Sequence, residues 1–271
     1  MKVLYDFLEW TAWEMVEPKP YGLFHILFTL IGGAFSLWLA YTLRNVGERE
    51  HRLILLSVGL ILAVSELYKQ LFHTYYLNNG VYKWNILPFQ LCSVPMYLCL
   101  ILAMLPRGRW SETMETFLGS YNVLGGLMSF VVPSGLCHEY WTLTFHAFIW
   151  HMLLVFLGMY LTVSGRGNYD KKSMRYATVL FVLLCGTAIG INVLLGDMSH
   201  GAVNMFYLGP PLTPQPVFKT IALYGGWKIN AILYMGCIII GTYVVSWGMT
   251  FMQRIYGSGQ IKKEMQYTMN T

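Results

Sequence analysis

Apolar residues run through this sequence in long blocks, separated by short stretches rich in charge, Gly or Pro. Seven blocks stand out, at about 22–43, 53–76, 86–105, 113–132, 142–163, 175–196 and 226–252. A helix rises 1.5 Å per residue, so roughly 20 apolar residues cross the hydrocarbon of a bilayer. Each block has a length of that order, which predicts an all-α fold: a polytopic seven-helix transmembrane bundle forming one domain over residues 1–271. The fourth block is the most interrupted, by Glu115, Asn122 and the Gly125-Gly126 pair. Residues 1–20 do not have the pattern of a secretory signal, because Asp6, Glu9, Glu14 and Glu17 break up their apolar positions. They read as a short amphipathic segment on the outer surface. The long stretch 197–225 carries Pro210, Pro211, Pro214 and Pro216 and reads either as a linker or as a lid over the outer helix ends. Residues 253–271 form a cytoplasmic tail.

Composition agrees with the blocks. Of 271 residues, 56% are apolar and 11% charged, against roughly 25% charged in soluble domains. The 16% aromatic content excludes a disordered chain, and five cysteines are too few for a disulfide scaffold. The distribution of the charges orients the bundle. Arg44, Arg49, Arg52, Arg107, Arg109, Arg166, Lys171, Lys172, Arg175, Arg254, Lys262 and Lys263 fall at alternate block ends, and only Lys2, Lys19, Lys83 and Lys219 at the others. Basic residues concentrate on the cytoplasmic side, so the N-terminus is expected outside and the C-terminus inside. Trp84, Trp110, Trp141 and Trp227 lie at block edges, where interfacial anchors belong. The net charge of +5 is accounted for by these loops and by anionic lipid, without nucleic acid.

Polar groups inside the blocks need a reason, since lipid does not solvate them. Glu66, Lys69 and His73 are spaced by three and four and share one helical face. The third block opens on Leu87-Pro88-Phe89-Gln90-Leu91-Cys92-Ser93, with Pro95 following; two prolines so close disrupt the start of a helix. Cys92 is then roughly 9 Å from the outer edge at the helical rise, with Gln90 and Ser93 as polar neighbours. Cys99, Cys185 and Cys237 read as packing residues, while Cys137, in an outer loop, either stays free or pairs with Cys92. His146 and His151, five apart, do not share a face. Asn122, Asn192, Lys228 and Asn230 add polar groups toward the outer half. No HxxxH, CxxC or HExxH spacing occurs, so no metal or other cofactor is expected. Gly32-Gly33 and Gly125-Gly126 read as close-packing points between helices.

Three stretches, in order, resemble the YwaF-like family of integral membrane proteins: Leu87 to Ser93 as quoted, Phe148-Ile149-Trp150-His151-Met152-Leu153-Leu154, and Val203-Asn204-Met205-Phe206-Tyr207-Leu208 followed by Pro210. The resemblance extends over nearly the whole chain in span number and motif order. That family is distantly similar to a eukaryotic transmembrane acyltransferase that remodels ether phospholipids. The resemblance implies a cysteine and a histidine in corresponding helices, here Cys92 and His151, as the catalytic pair. Phospholipids of the cell membrane would be the partners, handled through a Cys92 thioester by acyl transfer or ester hydrolysis. Gln90, Asn122 or Asn204 would donate to the oxyanion, and Glu66, Lys69, His73 and His146 complete the polar cluster. Two other readings stand beside it: a transporter or channel using Glu66, Lys69 and His73, and a non-catalytic membrane partner in which the cluster only fixes packing.

Overall fold

A computed structural model describes residues 2–211 and 215–257. Pro214 of the 197–225 stretch and the tail from residue 258, with Lys262 and Lys263, lie outside the described residues. Within them all regular structure is helical, apart from an isolated β-bridge between Glu14 and Tyr140. Eight helices follow one another: α1 Lys2–Thr11, α2 Leu23–Leu43, α3 Glu48–Leu71, α4 Val94–Met104, α5 Arg109–Val131, α6 Trp141–Val163, α7 Lys171–Leu194 and α8 Pro216–Tyr256. Five of them, α2, α3, α6, α7 and α8, are long and apolar enough to cross a membrane.

The other two blocks depart from that standard for different physical reasons. The block at 86–105 is only half helical. Residues 87–90 are irregular, Leu91–Ser93 form a 3-10 turn, and the α-helix begins at Val94 with Pro95 in its first turn. Proline lacks the N–H that an interior helical position must donate, but in the first turn that donor has no partner in any case. α5 is long enough but polar, and it is buried: 13 of its 23 residues, including Ser111, Thr113, Glu115, Thr116, Ser120 and Asn122, are enclosed. It packs against α6, α7 and α8, so its low hydropathy reflects a helix that touches protein rather than lipid. Its hydroxyls bond carbonyls one turn back, as in Thr113 to Arg109 and Ser120 to Thr116.

Glycines let α5 and α6 cross closely. A Cβ at Gly126 would come within 3.2–3.4 Å of Val155, Leu154 and the His151 carbonyl, and one at Gly158 would overlap Val123. At the basic end, α3, α5 and α7 start about one turn before their apolar blocks, in charged residues. At the other end α3 continues as a π-helix, Phe72–Leu77, which carries His73. α1 packs Leu8 against Phe72 and Leu143 and leaves Val3, Phe7 and Trp10 exposed, an i, i+4, i+7 apolar stripe.

The stretch expected to be a loop over 197–225 is ordered over much of its length, and its end from Pro216 is helical. α8 would be roughly 60 Å long as one rod, twice a bilayer's hydrocarbon. It breaks at Gly226, whose φ of 79° is open to glycine and strained for other residues.

Candidate functional site

The irregular segment before α4 sits between α3 and α6, and side chains from its neighbours supply the partners its backbone lacks. Gln70 of α3 donates to the Ile86 carbonyl at 2.6 Å, Tyr97 of α4 to that of Pro88 at 2.7 Å, and the Trp150 indole of α6 to that of Cys92 at 3.0 Å. Non-helical backbone persists at depth in a membrane only where protein satisfies it in this way. The Cys92 turn is thereby fixed in place. All five cysteines are free thiols, so Cys137 is not bonded to Cys92.

Two polar faces meet beside this turn. On α3 and its π extension, Glu66, Lys69, Gln70 and His73 share one face. Lys69 Nζ lies 2.8 Å from Glu66 Oε2, and Gln70 donates to Glu66 Oε1 at 2.7 Å. On α6, Thr142, His146 and Trp150 recur every four residues, and the His146 ring packs 5.3 Å from the Trp150 ring. His73 Nδ1, His146 Nδ1 and Thr142 Oγ1 are buried without a hydrogen-bond partner among the described residues.

His151 lies about 100° around α6 from Trp150, toward Phe130, whose ring centroid is 6.5 Å away. Its Nδ1 is 2.7 Å from the Ala147 carbonyl. A carbonyl only accepts, so the proton is on Nδ1 and, in the neutral ring, Nε2 carries the free lone pair. No hydrogen bond links His151 to the Cys92 thiol among the described residues.

The three amides considered as oxyanion donors are engaged elsewhere. Asn122 Nδ2 bonds the Leu118 and Leu154 carbonyls, tying α5 to α6. Gln90 grips the 197–225 stretch from both sides, donating to the Asn204 carbonyl at 3.0 Å and accepting from Phe206 N–H at 2.9 Å. Asn204 closes its own turn, accepting from Gly209 N–H and donating to the Pro211 carbonyl. Asn192 of α7 repeats the grip on both backbone groups of Met205. With Phe206 stacked on Phe89 at 5.6 Å, residues 203–209 form a packed cap beside the Cys92 segment. Phe206 and Tyr207 take left-handed backbone angles, φ 56° and 57°, which the amide grips and the burial of Phe206 hold in place.

Several of these participants were not singled out from the sequence. Gln70, Thr142 and Trp150 lie on the same helical faces as residues that were, at i+4 from Glu66 and i±4 from His146, and that spacing was the available signal. A second buried cluster was missed as well. At the basic end His51 of α3 sits with Nε2 2.8 Å from Glu115 of α5 and Nδ1 3.0 Å from the Tyr160 hydroxyl of α6, all three enclosed. His51 precedes its apolar block among charged residues, where a histidine reads as solvated.

Residues 20–246 match the TMEM164 family. No curated protein and no solved structure matches the chain significantly.

Proposed function

We propose, because the chain belongs to the TMEM164 family of transmembrane proteins and gathers its intramembrane polar groups around one cysteine, that it is a multi-pass lipid acyltransferase or lipid-ester hydrolase of the cell membrane. In this reading the seven apolar blocks are seven spans, with α4 and α5 crossing inside a sleeve of the five more apolar helices, N-terminus outside and C-terminus in the cytoplasm. The likeness to YwaF-like proteins and, through them, to an ether-phospholipid acyltransferase belongs to the same reading.

The observation that carries it is the Cys92 turn, whose carbonyl takes the Trp150 indole of α6 while the nearby Ile86 carbonyl takes Gln70 of α3, itself bonded to the Glu66 that pairs with Lys69. With the His151 side chain turned from Phe130 toward the Cys92 turn, its Nε2 takes the Cys92 proton and the thiolate attacks an ester carbonyl of a phospholipid. Lys69 stabilises the oxyanion, a role the engaged amides of Gln90, Asn122 and Asn204 do not fill. The carbon–oxygen bond breaks, the departing alkoxide recovers the proton from His151, and a lysophospholipid leaves the acyl group as a Cys92 thioester. An incoming lysophospholipid hydroxyl, or water, then gives its proton to His151 and attacks the thioester, and the released thiolate is reprotonated.

Incubation of the purified chain with a phospholipid labelled in its acyl group is the test. A hydroxylamine-sensitive label on the wild type and on Cys99→Ala, absent from Cys92→Ala and His151→Gln, supports the reading. Equal labelling and equal lipid turnover in all four refute it. A proteoliposome flux that depends on Glu66 but not on Cys92 would replace it with transport.

A further inference from the structure

Three inter-helix junctions converge at the basic end of the bundle, and they do so on one carboxylate. Glu48, in the first turn of α3, receives Arg166 of the α6–α7 junction at 2.7 Å, Arg52 of α3 itself at 3.4 Å and Arg107 of the α4–α5 junction at 3.8 Å. Three guanidiniums on one carboxylate leave two positive charges in excess, or one when Glu50, whose carboxylate folds back against Gly47, is included. Burial opposes ionisation of Glu48, yet the Arg166 guanidinium, with Arg52 and His51, holds its carboxyl below the usual value of 4.5. The field at this point is thus strongly positive.

The donors are not used up. A guanidinium carries five N–H groups, and each of the three directs one nitrogen at Glu48. Arg166 is packed, with 11% of its side chain exposed, but Arg52 and Arg107 are 38% and 61% exposed. They present their remaining donors outward at the level where lipid headgroups would lie. The first turn of α3 adds backbone N–H groups, since its N-cap, Gly47, offers no capping side chain. His51 does not compete for a ligand, because both of its nitrogens face inward to Glu115 and Tyr160.

We propose that this junction is a binding site for a phosphate group, carried by an anionic phospholipid of the adjoining leaflet and gripped by Arg52 and Arg107 against the Arg166–Glu48 pair. A phosphate matches the planar fork of arginine as a carboxylate does and carries more charge. It bridges junctions that Glu48 alone holds at distances of up to 3.8 Å. The ligand binds at the opposite end of the helices from Cys92, so this site is separate from the proposed acyl-transfer chemistry and stands or falls without it.

The test uses the full chain in phosphatidylcholine nanodiscs, with or without a minor fraction of phosphatidylinositol phosphate, and counts bound anionic lipid by native mass spectrometry. Arg52→Gln and Arg107→Gln should each weaken retention about fivefold, Arg107→Lys should restore part of it, and Arg254→Gln, at the same end but outside the cluster, should change nothing. Unfolding midpoints in neutral lipid identify any variant that has lost its fold. A parallel arm offers inorganic phosphate to the protein in neutral detergent. Arg107-dependent binding of inorganic phosphate without retention of the lipid would overturn the lipid source. Equal weakening by Arg254→Gln, or no saturable binding in either arm, would overturn the site.

Discussion

Gln90→Leu isolates the attachment of the 203–209 cap from everything else in the structure. The substitution preserves side-chain bulk while removing two hydrogen bonds, one to the Asn204 carbonyl and one from the Phe206 N–H. Phe206 is 2% exposed and Asn204 9%, so water replaces these bonds only when the cap opens. A buried polar group left unpaired costs about 1–3 kcal/mol. Two such groups, partly relieved by local movement, should cost the closed cap about 2–4 kcal/mol, raising its opening constant roughly 30- to 1000-fold. Hydrogen exchange of single amides in nanodiscs reads this directly. The Phe206 amide should lose protection by that factor, and Met205, whose N–H is held by Asn192 at 2.6 Å, by less. Amides in the middle of α6 should be unaffected. A change at Phe206 of under threefold would refute the account of Gln90 as an anchor, as would equal deprotection throughout the chain.

Other expectations follow from single contacts. Glu115→Ala leaves His51 buried without its carboxylate and should cost about 3–5 kcal/mol in unfolding free energy, with Glu115→Gln, which keeps an acceptor, costing less; equal losses would refute a role for the acceptor itself. Gly158→Val, forced against Val123, should lower the thermal midpoint sharply or prevent folding, whereas Gly33→Ala, with nothing within 4 Å of the added methyl, should be neutral or slightly stabilising. The Asp170 carboxylate accepts from Ser173 N–H at 2.7 Å and caps α7; that bond holds its pKa below 3.8 despite partial burial. Its contribution is therefore present above pH 3.8 and lost as the pH falls through the lowered value. Asp170→Ala should cost about 1 kcal/mol at neutral pH, and the difference from wild type in thermal denaturation should vanish in acid.

Helix positions were legible because the bilayer imposes a single periodic demand, apolar residues over a fixed length, that each block states locally. The blocks at 22–43 and 142–163 coincide with α2 and α6 within a residue or so. What escaped depended on neighbours distant in sequence. Nothing near Pro88 indicates that Gln70, Tyr97 and Trp150 will satisfy its surroundings, so the 86–105 block read as a longer helix than α4 is. The cap over 203–209 has no periodicity, and its order comes from amides on the α4 approach and on α7. For the candidate site, the sequence supplied the α3 face by spacing and Cys92 and His151 by resemblance. It could not supply the rotation of α6, which turns Trp150 onto the Cys92 carbonyl and directs His151 toward Phe130.

The enclosure of α5 bears on how the chain enters a bilayer during synthesis. A segment carrying Glu112, Glu115 and Asn122 is a poor candidate to leave a translocon alone, and the 11 helical residues of α4 are too few to anchor it. In the seven-span arrangement, the two would enter as a hairpin retained at the protein-lined exit until α6 emerged, when Asn122 could bond the Leu154 carbonyl and Gly126 could seat against Val155. Truncation after α5 should then leave that hairpin outside the membrane, whereas truncation after α6 should leave it inserted.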